Sequence, residues 1–358
     1  EFDPKKEALR EALCTLGNGY FCTRGAAVEC SADDVHYPGT YLAGGYNRLK
    51  TEVAGHQIEN EDLVNMPNWL LMKLRIDDSN WFSLVAMEIL EYKQELDIRR
   101  GMLIRNVRFR DHEGRILRLI HRRIVHMRFS HVAAVEMRLI PENWSGNVTV
   151  HSALDGSLIN AGVERYKALN SKHLEPLEAW KIDEEKIFLK AQTNQSLMGI
   201  AQTARTKVFL QGKEREVKRH LLREDDYIAQ EFGVHVNEGE ELRVEKVVTF
   251  FTSRDKAISE PGLESRKAIE RLGNFEELLE SHINIWDHLW RRFEIEMDTD
   301  LGGEQERAAM IVRVHILHML QSTSVHTMDL DVGVPSRGWH GEAYRGHIFW
   351  DELYIFPI

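Results

Sequence analysis

The length and charge of the chain exclude several classes of protein. At 358 residues it is long for a single hydrophobic core, so two or more domains are expected. A hydrophobic content of 43% with 29% charged residues is ordinary for a globular protein and excludes wholesale disorder. The net charge of -11 disfavours nucleic acid or an anionic membrane surface as the main partner.

Local features predict a reduced protein that resides in the cytoplasm. The basic residues between positions 105 and 128 alternate with apolar ones, which predicts the solvated face of a sheet. Cys14, Cys22 and Cys30 are too few and odd in number for a disulfide framework, and none forms a Cys-x-x-Cys metal pair. The first residues do not form a signal peptide, and no apolar run approaches a membrane span. We therefore expect a cytoplasmic location, no membrane and no metal.

The N-terminal segment contains two groups of turn-forming residues. Residues 7–14 predict a short amphipathic helix, which ends at Leu16-Gly17-Asn18-Gly19-Tyr20, where the glycines favour a turn with positive φ. A strand is predicted from residue 20 to 24. Residues 36–47 are rich in aromatic and turn-forming residues, which indicates an ordered loop. That loop either packs against its own domain or contacts a ligand.

From about residue 69 to residue 252, successive strands are the dominant pattern. Strands are predicted at 68–76, 81–87, 102–110, 115–126, 132–140, 147–154, 185–192, 198–208, 227–236 and 241–251. Asp111 to Gly114 has the length of a hairpin connection. Many strands with short polar turns and few helical intervals favour a large antiparallel sandwich over a βαβ sheet.

After residue 252 the spacing of the apolar residues changes from a period of two to the period of about 3.6 that is typical of helices. A short helix is predicted at 263–272, and Asn274 with Glu277 forms a capping-box pattern that begins the next helix. Its apolar stripe includes Trp286 and Trp290, which we interpret as core residues.

The following helix, at 304–322, is apolar nearly all round. This predicts a buried helix inside a multi-helix domain, with His315 as a core histidine. Two helices cannot bury such faces alone. We therefore expect a fragment of a longer protein, with completion of the domain by another polypeptide as the alternative.

The densest group of functional side chains lies at residues 338–352. It holds two tryptophans, two histidines, an arginine, a tyrosine and three carboxylates. Aromatic faces can cover the C–H faces of a sugar ring, while charged and imidazole groups satisfy its hydroxyls. A packed loop between helices is the alternative interpretation. His340 and His347 lack the spacing that places two metal ligands on one helical face.

Residues 341–351 resemble the sugar-site motif of glycoside hydrolase family 65, which includes maltose, trehalose and kojibiose phosphorylases and some trehalose hydrolases. Two earlier segments resemble N-terminal signatures of the same family, in the same order. They are Leu16 to Tyr20 with Arg24-Gly25, and His36 to Tyr41 with Tyr46-Asn47. Three motifs in sequence over nearly the whole chain are far more specific than one.

The resemblance implies a multidomain β and α fold. An N-terminal antiparallel β-sandwich, or super-sandwich, would occupy residues 1–253, and a helical linker residues 254–300. Residues 301–358 would begin an (α/α)6 barrel that is truncated at the C-terminus. Homodimers are common in the family, so a homodimer is one expectation.

The resemblance also implies which residues contact the sugar. Trp350 and Asp351 would lie in the glucose-binding subsite, with Arg345 and His347 lining or supporting the pocket. Glu342 and Tyr344 would give further support. The general acid of the family is a glutamate further along the barrel, beyond residue 358, so none of these residues is expected to be the proton donor.

The implied activity is cleavage of an α-glucosyl disaccharide, such as trehalose, kojibiose or maltose, with inversion. Phosphorolysis to β-glucose 1-phosphate would use inorganic phosphate as co-substrate and no cofactor. An inverting hydrolase and a non-catalytic carbohydrate-binding module are the alternatives. The residue after Trp350-Asp351 is Glu352, where disaccharide phosphorylases tend to have threonine, so the acceptor sugar stays open.

Overall fold

The computed structural model describes residues 2–163, 169–295, 303–330, 332–334, 338–342 and 349–350. The helices are α1 (Glu7–Leu13), α2 (Pro261–Glu270), α3 (Phe275–Phe293) and α4 (Gly303–Ser322), with short 3-10 turns at Pro4–Lys6 and Leu84–Ala86. The strands are β1 (Leu16–Gly17), β2 (Phe21–Thr23), β3 (Thr40–Leu42), β4 (Tyr46–Val53), β5 (His56–Leu63), β6 (Met72–Ile76), β7 (Glu88–Asp97), β8 (Met102–Arg110), β9 (Ile116–Val125), β10 (Val132–Pro141), β11 (Gly146–Asp155), β12 (Leu174–Lys181), β13 (Lys186–Thr193), β14 (Gly199–Leu210), β15 (Lys213–Glu214), β16 (His220–Arg223), β17 (Tyr227–Val236) and β18 (Leu242–Thr252).

The strands of the described residues form four sheets in which all pairs are antiparallel. The largest sheet has the order β12-β13-β14-β18-β10-β9-β8-β7, with β15 paired to β14. A second sheet has the order β16-β17-β11-β6, while β1-β2-β3 and β4-β5 form smaller sheets. The predicted antiparallel β architecture is therefore confirmed, with the helices following it in the chain.

The two large sheets pack face to face over one hydrophobic core. Alternate residues of β10 and β11, such as Met137 and Val150, are fully buried in the same cluster. Ser152 and Thr206 join the sheets through their hydroxyls at 2.9 Å. Each large apolar side chain buried in this way contributes about 1.5 to 3 kcal/mol relative to exposure.

Helices α2 and α3 pack against the large sheet. The Ser265 hydroxyl lies 2.7 Å from that of Thr203 in β14. Asn274 caps α3 by accepting a hydrogen bond from the Glu277 backbone N–H, as predicted, although the Glu277 carboxylate returns to the Asn274 side chain rather than to its backbone. Trp286 and Trp290 are 0% and 4% exposed, which confirms them as core residues.

Several strand predictions were wrong or incomplete at the sheet edges. Residues 81–87 contain a 3-10 turn and no strand, because the buried Phe82 and Leu84 anchor a loop rather than alternate along a ladder. The very short strands β1, β3 and β15 were not predicted. The longer strands β4, β5, β7, β12 and β16 were missed as well. They are edge strands or a separate hairpin, so they carry polar residues on both faces and lack a strong period of two.

Helix α4 is less buried than its composition predicts. Leu317 and Leu320 pack against Trp286 and Trp290, so one stripe is covered. His315, Met310 and Ile311 are exposed on the rest of its surface in the described part of the chain. The prediction of a core histidine concerned a complete multi-helix domain and stays a prediction. Only this helix of the implied barrel lies among the described residues, and the barrel and the boundaries at 253 and 300 stay predictions.

The basic residues of β8 and β9 also differ from expectation. Arg108, Arg110 and Arg118 lie on the outer face and pair with carboxylates, as a solvated face requires. Arg105 and Arg123 are buried on the inner face instead, at 6% and 3% exposure.

Candidate functional site

The structure describes two of the six predicted sugar-site residues. Trp350 is 71% exposed, and Glu342 is 3% exposed. Tyr344, Arg345, His347 and Asp351 lie outside the described residues. The described part of this region consists of Glu342 and of the residues that contact the segment 338–342.

Glu342 lies against the second N-terminal signature, about three hundred residues earlier in the chain. Its Oε1 accepts hydrogen bonds from the hydroxyl of Tyr37 and, at 3.2 Å, from that of Tyr41. Its Oε2 accepts the backbone N–H of Gly162 at 2.9 Å. Both carboxylate oxygens are thus bound by protein donors. We refer to Glu342, Tyr37, Tyr41, Gly162 and the nearby Arg24 as the Glu342 cluster.

The electrostatics of the Glu342 cluster favour a carboxyl that titrates near neutrality. Burial raises the pKa of Glu342 from its ordinary value of 4.5 to about 7, and Asp62 adds to the rise, whereas the donors Tyr37, Gly162 and Tyr41 oppose it. Burial and the neighbouring Glu342 also raise the pKa of Tyr37 and of Tyr41. Both phenols therefore stay protonated and remain donors.

Arg24 connects the first signature to the other two. Its Nε donates to the backbone carbonyl of Tyr37 at 3.0 Å, and its Nη1 donates to the carbonyl of His340. Its Nη2 lies 3.3 Å from the carboxylate of Glu11, a fully buried residue of α1. Since Glu11 also accepts from the Tyr37 backbone N–H at 3.0 Å, one buried ion pair fixes the second signature from two sides.

The segment 338–342 has apolar support as well. Trp339 is 5% exposed and packs in a cluster with Tyr41 and Leu63. Cys22 donates from Sγ to the Trp339 carbonyl at 2.6 Å. Trp339 is therefore a packing residue of the junction between the sandwich and the C-terminal segment.

Two glycines allow the close approach of these segments. Gly162 faces the Tyr37 ring and Glu342, and a Cβ there would lie 3.0 Å from Tyr37 Cε1 and 3.2 Å from the Glu342 carboxyl carbon. Gly19, in the predicted turn, has φ of +93°, and a Cβ there would lie 2.2 Å from Ser324 Oγ. A side chain at Gly19 would be strained for both reasons. The three predicted motifs thus meet in one region.

A depression lies near the base of the β4-β5 hairpin. It has a volume of about 300 Å³ and is open to solvent. Its lining combines one aromatic ring with amide, hydroxyl and charged groups: Tyr46, Asn47, Arg48, Glu61, Gln195, Ser196 and Arg254. Within the described ranges, no group of three or more acidic, histidine or cysteine side chains has a geometry that could hold a metal ion.

Sequence reasoning found only part of this region. For the loop at 36–47 the sequence allowed two interpretations, packing against its own domain or contact with a ligand. In the structure its Tyr37 and Tyr41 contact Glu342. Glu11 was missed, because a glutamate in a short amphipathic helix carries no signal that it will be buried. In the part of the chain that the structure describes, none of the helices is long and apolar enough to cross a membrane.

Comparisons with known proteins agree with these motifs. The model for the N-terminal domain of glycosyl hydrolase family 65 matches residues 1–289, and the model for the central catalytic domain of that family matches residues 313–358. A solved structure assigned as a kojibiose phosphorylase from the human microbiome superposes with a TM-score of 0.83 at 20% identity, covering 100% of this chain and 45% of its own. At that identity the likeness shows the fold alone.

Curated relatives are similar over the whole chain. An uncharacterized glycosyl hydrolase of Mycobacterium tuberculosis is 41% identical over 100% of this chain and 26% of its own length. The trehalose 6-phosphate phosphorylase of Lactococcus lactis is 30% identical, and the kojibiose phosphorylase of Halothermothrix orenii 28%, each over 100% of this chain and 44% of its own length. The chain thus spans between a quarter and a half of the length of these relatives.

The family resemblance predicted from the three motifs is confirmed. The N-terminal-domain model covers most of the chain, and the catalytic-domain model begins within α4. This chain therefore belongs to glycosyl hydrolase family 65.

Proposed function

We propose that the whole protein carrying this chain is an inverting phosphorylase of α-glucosyl disaccharides that releases β-glucose 1-phosphate. The activities named for the relatives support this proposal, because the similar proteins include phosphorylases of trehalose 6-phosphate, kojibiose and nigerose. Trehalose, kojibiose and maltose are the substrates that the motifs suggested. The relatives add trehalose 6-phosphate and nigerose as further candidate substrates.

The proposed role of this chain is substrate recognition. Trp350 would cover the apolar face of the glucosyl ring, and Asp351 would accept hydrogen bonds from its hydroxyls. Arg345 and His347 would line the same pocket, with Tyr344 as support. The single observation that carries this role is the contact of Glu342 with Tyr37 and Tyr41, eight residues before Trp350.

Glu342 would act as an anchor rather than as the proton donor. A general acid needs a free path to the leaving oxygen, whereas both oxygens of Glu342 are engaged by protein donors. The proposed reaction breaks the bond between the glucosyl C1 and the acceptor oxygen, which takes a proton from the acid. Phosphate oxygen forms the new bond at the opposite face of C1. We expect the acid and the phosphate-binding loop beyond residue 358, so this chain alone would be inactive.

The experiment is an assay of the whole protein with each disaccharide, with and without inorganic phosphate. The proposal predicts glucose 1-phosphate of β configuration only when phosphate is present. Release of glucose at the same rate without phosphate would contradict it and would favour an inverting hydrolase. An inverting hydrolase is the second candidate function, because the relative at 41% identity is described as an uncharacterized glycosyl hydrolase.

A further inference from the structure

A buried group of polar side chains lies on the inner face of the large sheet, apart from the Glu342 cluster. Arg105 in β8 is the cross-strand neighbour of Gln94 in β7 and of His121 in β9. Arg123 lies two residues further along β9, and Glu29 covers Arg105 from the N-terminal segment. We call Glu29, Gln94, Arg105, His121 and Arg123 the buried arginine cluster.

The charges of this cluster do not balance. Arg105 pairs with Glu29, whose Oε1 lies 2.7 Å from Arg105 Nη1. Arg123 donates from Nη1 to the Ala26 carbonyl at 3.0 Å, but it forms no ion pair with any carboxylate of the described residues. Burial lowers the pKa of His121 to about 3, so its ring is neutral at pH 7. A buried arginine almost always has an anionic partner, whereas Arg123 has no carboxylate of the described residues at ion-pair distance, and Glu11 and Glu29 act on it only from further away.

Hydrogen-bond donors in the same cluster also lack acceptors. Among the described residues, Nε of Arg105, Nε of Arg123 and Nε2 of Gln94 are buried without a partner. Both ring nitrogens of His121 are buried without one as well, and a neutral imidazole donates from one of them. Buried donors are normally satisfied, and an unmade hydrogen bond of this kind costs about 1 to 3 kcal/mol.

A small cavity adjoins these donors. It has a volume of about 20 Å³ and is bounded by the buried arginine cluster residues Gln94, Arg105, His121 and Arg123, by Leu103, and by the chain from Gly25 to Val28. A cavity of this size holds one species about as large as a water molecule. A tetrahedral oxyanion such as inorganic phosphate does not fit, which separates this cavity from any site for the phosphate co-substrate.

We propose that this cavity is a binding site for one small monovalent anion, of which chloride is the physiological example. A halide accepts hydrogen bonds from all the unpartnered donors and supplies the counter-charge that Arg123 lacks. A water molecule would find acceptors in the second ring nitrogen of His121 and in Glu29 Oε1, which lacks a hydrogen bond, but it supplies no charge and so leaves Arg123 without a counter-ion. Glu29 is the one carboxylate of the cluster, and its pairing with Arg105 leaves the site positively charged overall.

The first test is crystallographic and uses the whole protein. Crystals are equilibrated in sodium bromide and in sodium gluconate at equal ionic strength. The proposal predicts an anomalous bromide peak in the cavity beside Arg123 and His121. Unchanged density in both salts, with no anomalous signal, would show a water molecule and would overturn the proposal.

The second test measures the melting temperature while chloride replaces gluconate. A rise of about 2 to 4 °C that saturates with chloride is expected for the wild type. Arg123→Gln should lose this rise, whereas Arg128→Gln should keep it, because Arg128 is exposed five residues further along the chain. An equal chloride effect in Arg123→Gln would contradict the proposal. If that variant does not fold, the bromide experiment on the wild type decides.

Discussion

The interior of the sandwich and the Glu342 cluster are held together by different kinds of interaction. Between the sheets, long antiparallel ladders bury apolar side chains in one continuous cluster. In the Glu342 cluster, by contrast, segments distant in sequence meet through a carboxylate, two phenols and a guanidinium. Non-directional packing tolerates small shifts, whereas directed hydrogen bonds fix positions. The sandwich therefore provides stability, and the Glu342 cluster sets where the C-terminal segment lies.

This contrast predicts different responses to mutation and to pH. Loss of an apolar contact inside the sandwich or between the helices should lower the free energy of unfolding and have little direct effect on activity. Loss of a contact in the C-terminal segment should reduce activity more than stability. The Glu342 cluster should respond to pH near neutrality, because its carboxyl has a pKa of about 7.

The largest effect on stability is expected for Trp286→Ala. The Trp286 side chain is fully buried between α3, α4 and the sheet, so its removal should lower the free energy of unfolding of the whole protein by about 3 to 5 kcal/mol. Chemical denaturation measures this. Trp350→Ala is the matched control, since 71% of Trp350 is exposed. It should change stability by less than about 0.5 kcal/mol and weaken sugar binding instead. Equal losses of stability would contradict the contrast.

The largest effect on activity is expected for Asp351→Ala. Removing a carboxylate that binds sugar hydroxyls should lower kcat/KM for the disaccharide by roughly 100-fold, equivalent to about 3 kcal/mol. Steady-state kinetics and the unfolding midpoint should be measured together, and the midpoint should stay unchanged. Asp329→Ala removes an exposed carboxylate from the preceding loop and should leave both quantities unaltered. Wild-type kinetics in Asp351→Ala would remove Asp351 from the site.

A pH effect of up to about 3 kcal/mol is expected for Glu342. Its pKa is raised in the folded state, from 4.5 to about 7, so the folded state binds more protons than the unfolded state in that window. The contribution of Glu342 to stability is thus full below pH 4.5 and is lost as the pH rises to 7. Glu342→Gln lacks a titrating group.

Denaturation curves at several pH values test this expectation. The difference in unfolding free energy between wild type and Glu342→Gln should fall from pH 4.5 to pH 7 and stay level above it. Glu216→Gln, at an exposed position, should parallel the wild type throughout. If the unfolding free energies of the wild type and of Glu342→Gln change with pH in the same way over this range, Glu342 has an ordinary pKa.

The predictable part of the fold was its strongly periodic part. Strands such as β10 and β18 are apolar because both faces are covered, and the stripe of α3 with its Asn274 cap follows from local chemistry. The β4-β5 hairpin was missed because its residues are mostly polar and half of them are exposed. The exposure of His315 could not be predicted either, since the composition of α4 indicates a buried helix whereas its burial depends on the elements that pack on it.

The candidate site was predictable as a set of motifs but not as contacts. The order of the three motifs, around Gly19, Tyr37 and Glu342, matched the order of the motifs in one family. Their meeting depends on chain separations of about three hundred residues, which no local period encodes. The burial of Arg123 was missed for a related reason: alternation identifies two faces of β9 but does not say what covers each one.

A double-mutant cycle between Glu342 and Tyr41 tests most directly whether the N-terminal domain positions the sugar-binding segment. The cycle compares kcat/KM and unfolding free energy for wild type, Glu342→Gln, Tyr41→Phe and the double variant. Tyr20→Phe, which removes a buried hydroxyl donating to Asp255 instead, is the control partner. We predict a coupling of about 1 kcal/mol between Glu342 and Tyr41 in both quantities, and none with Tyr20. Additive effects of Glu342→Gln and Tyr41→Phe on kcat/KM would contradict the account.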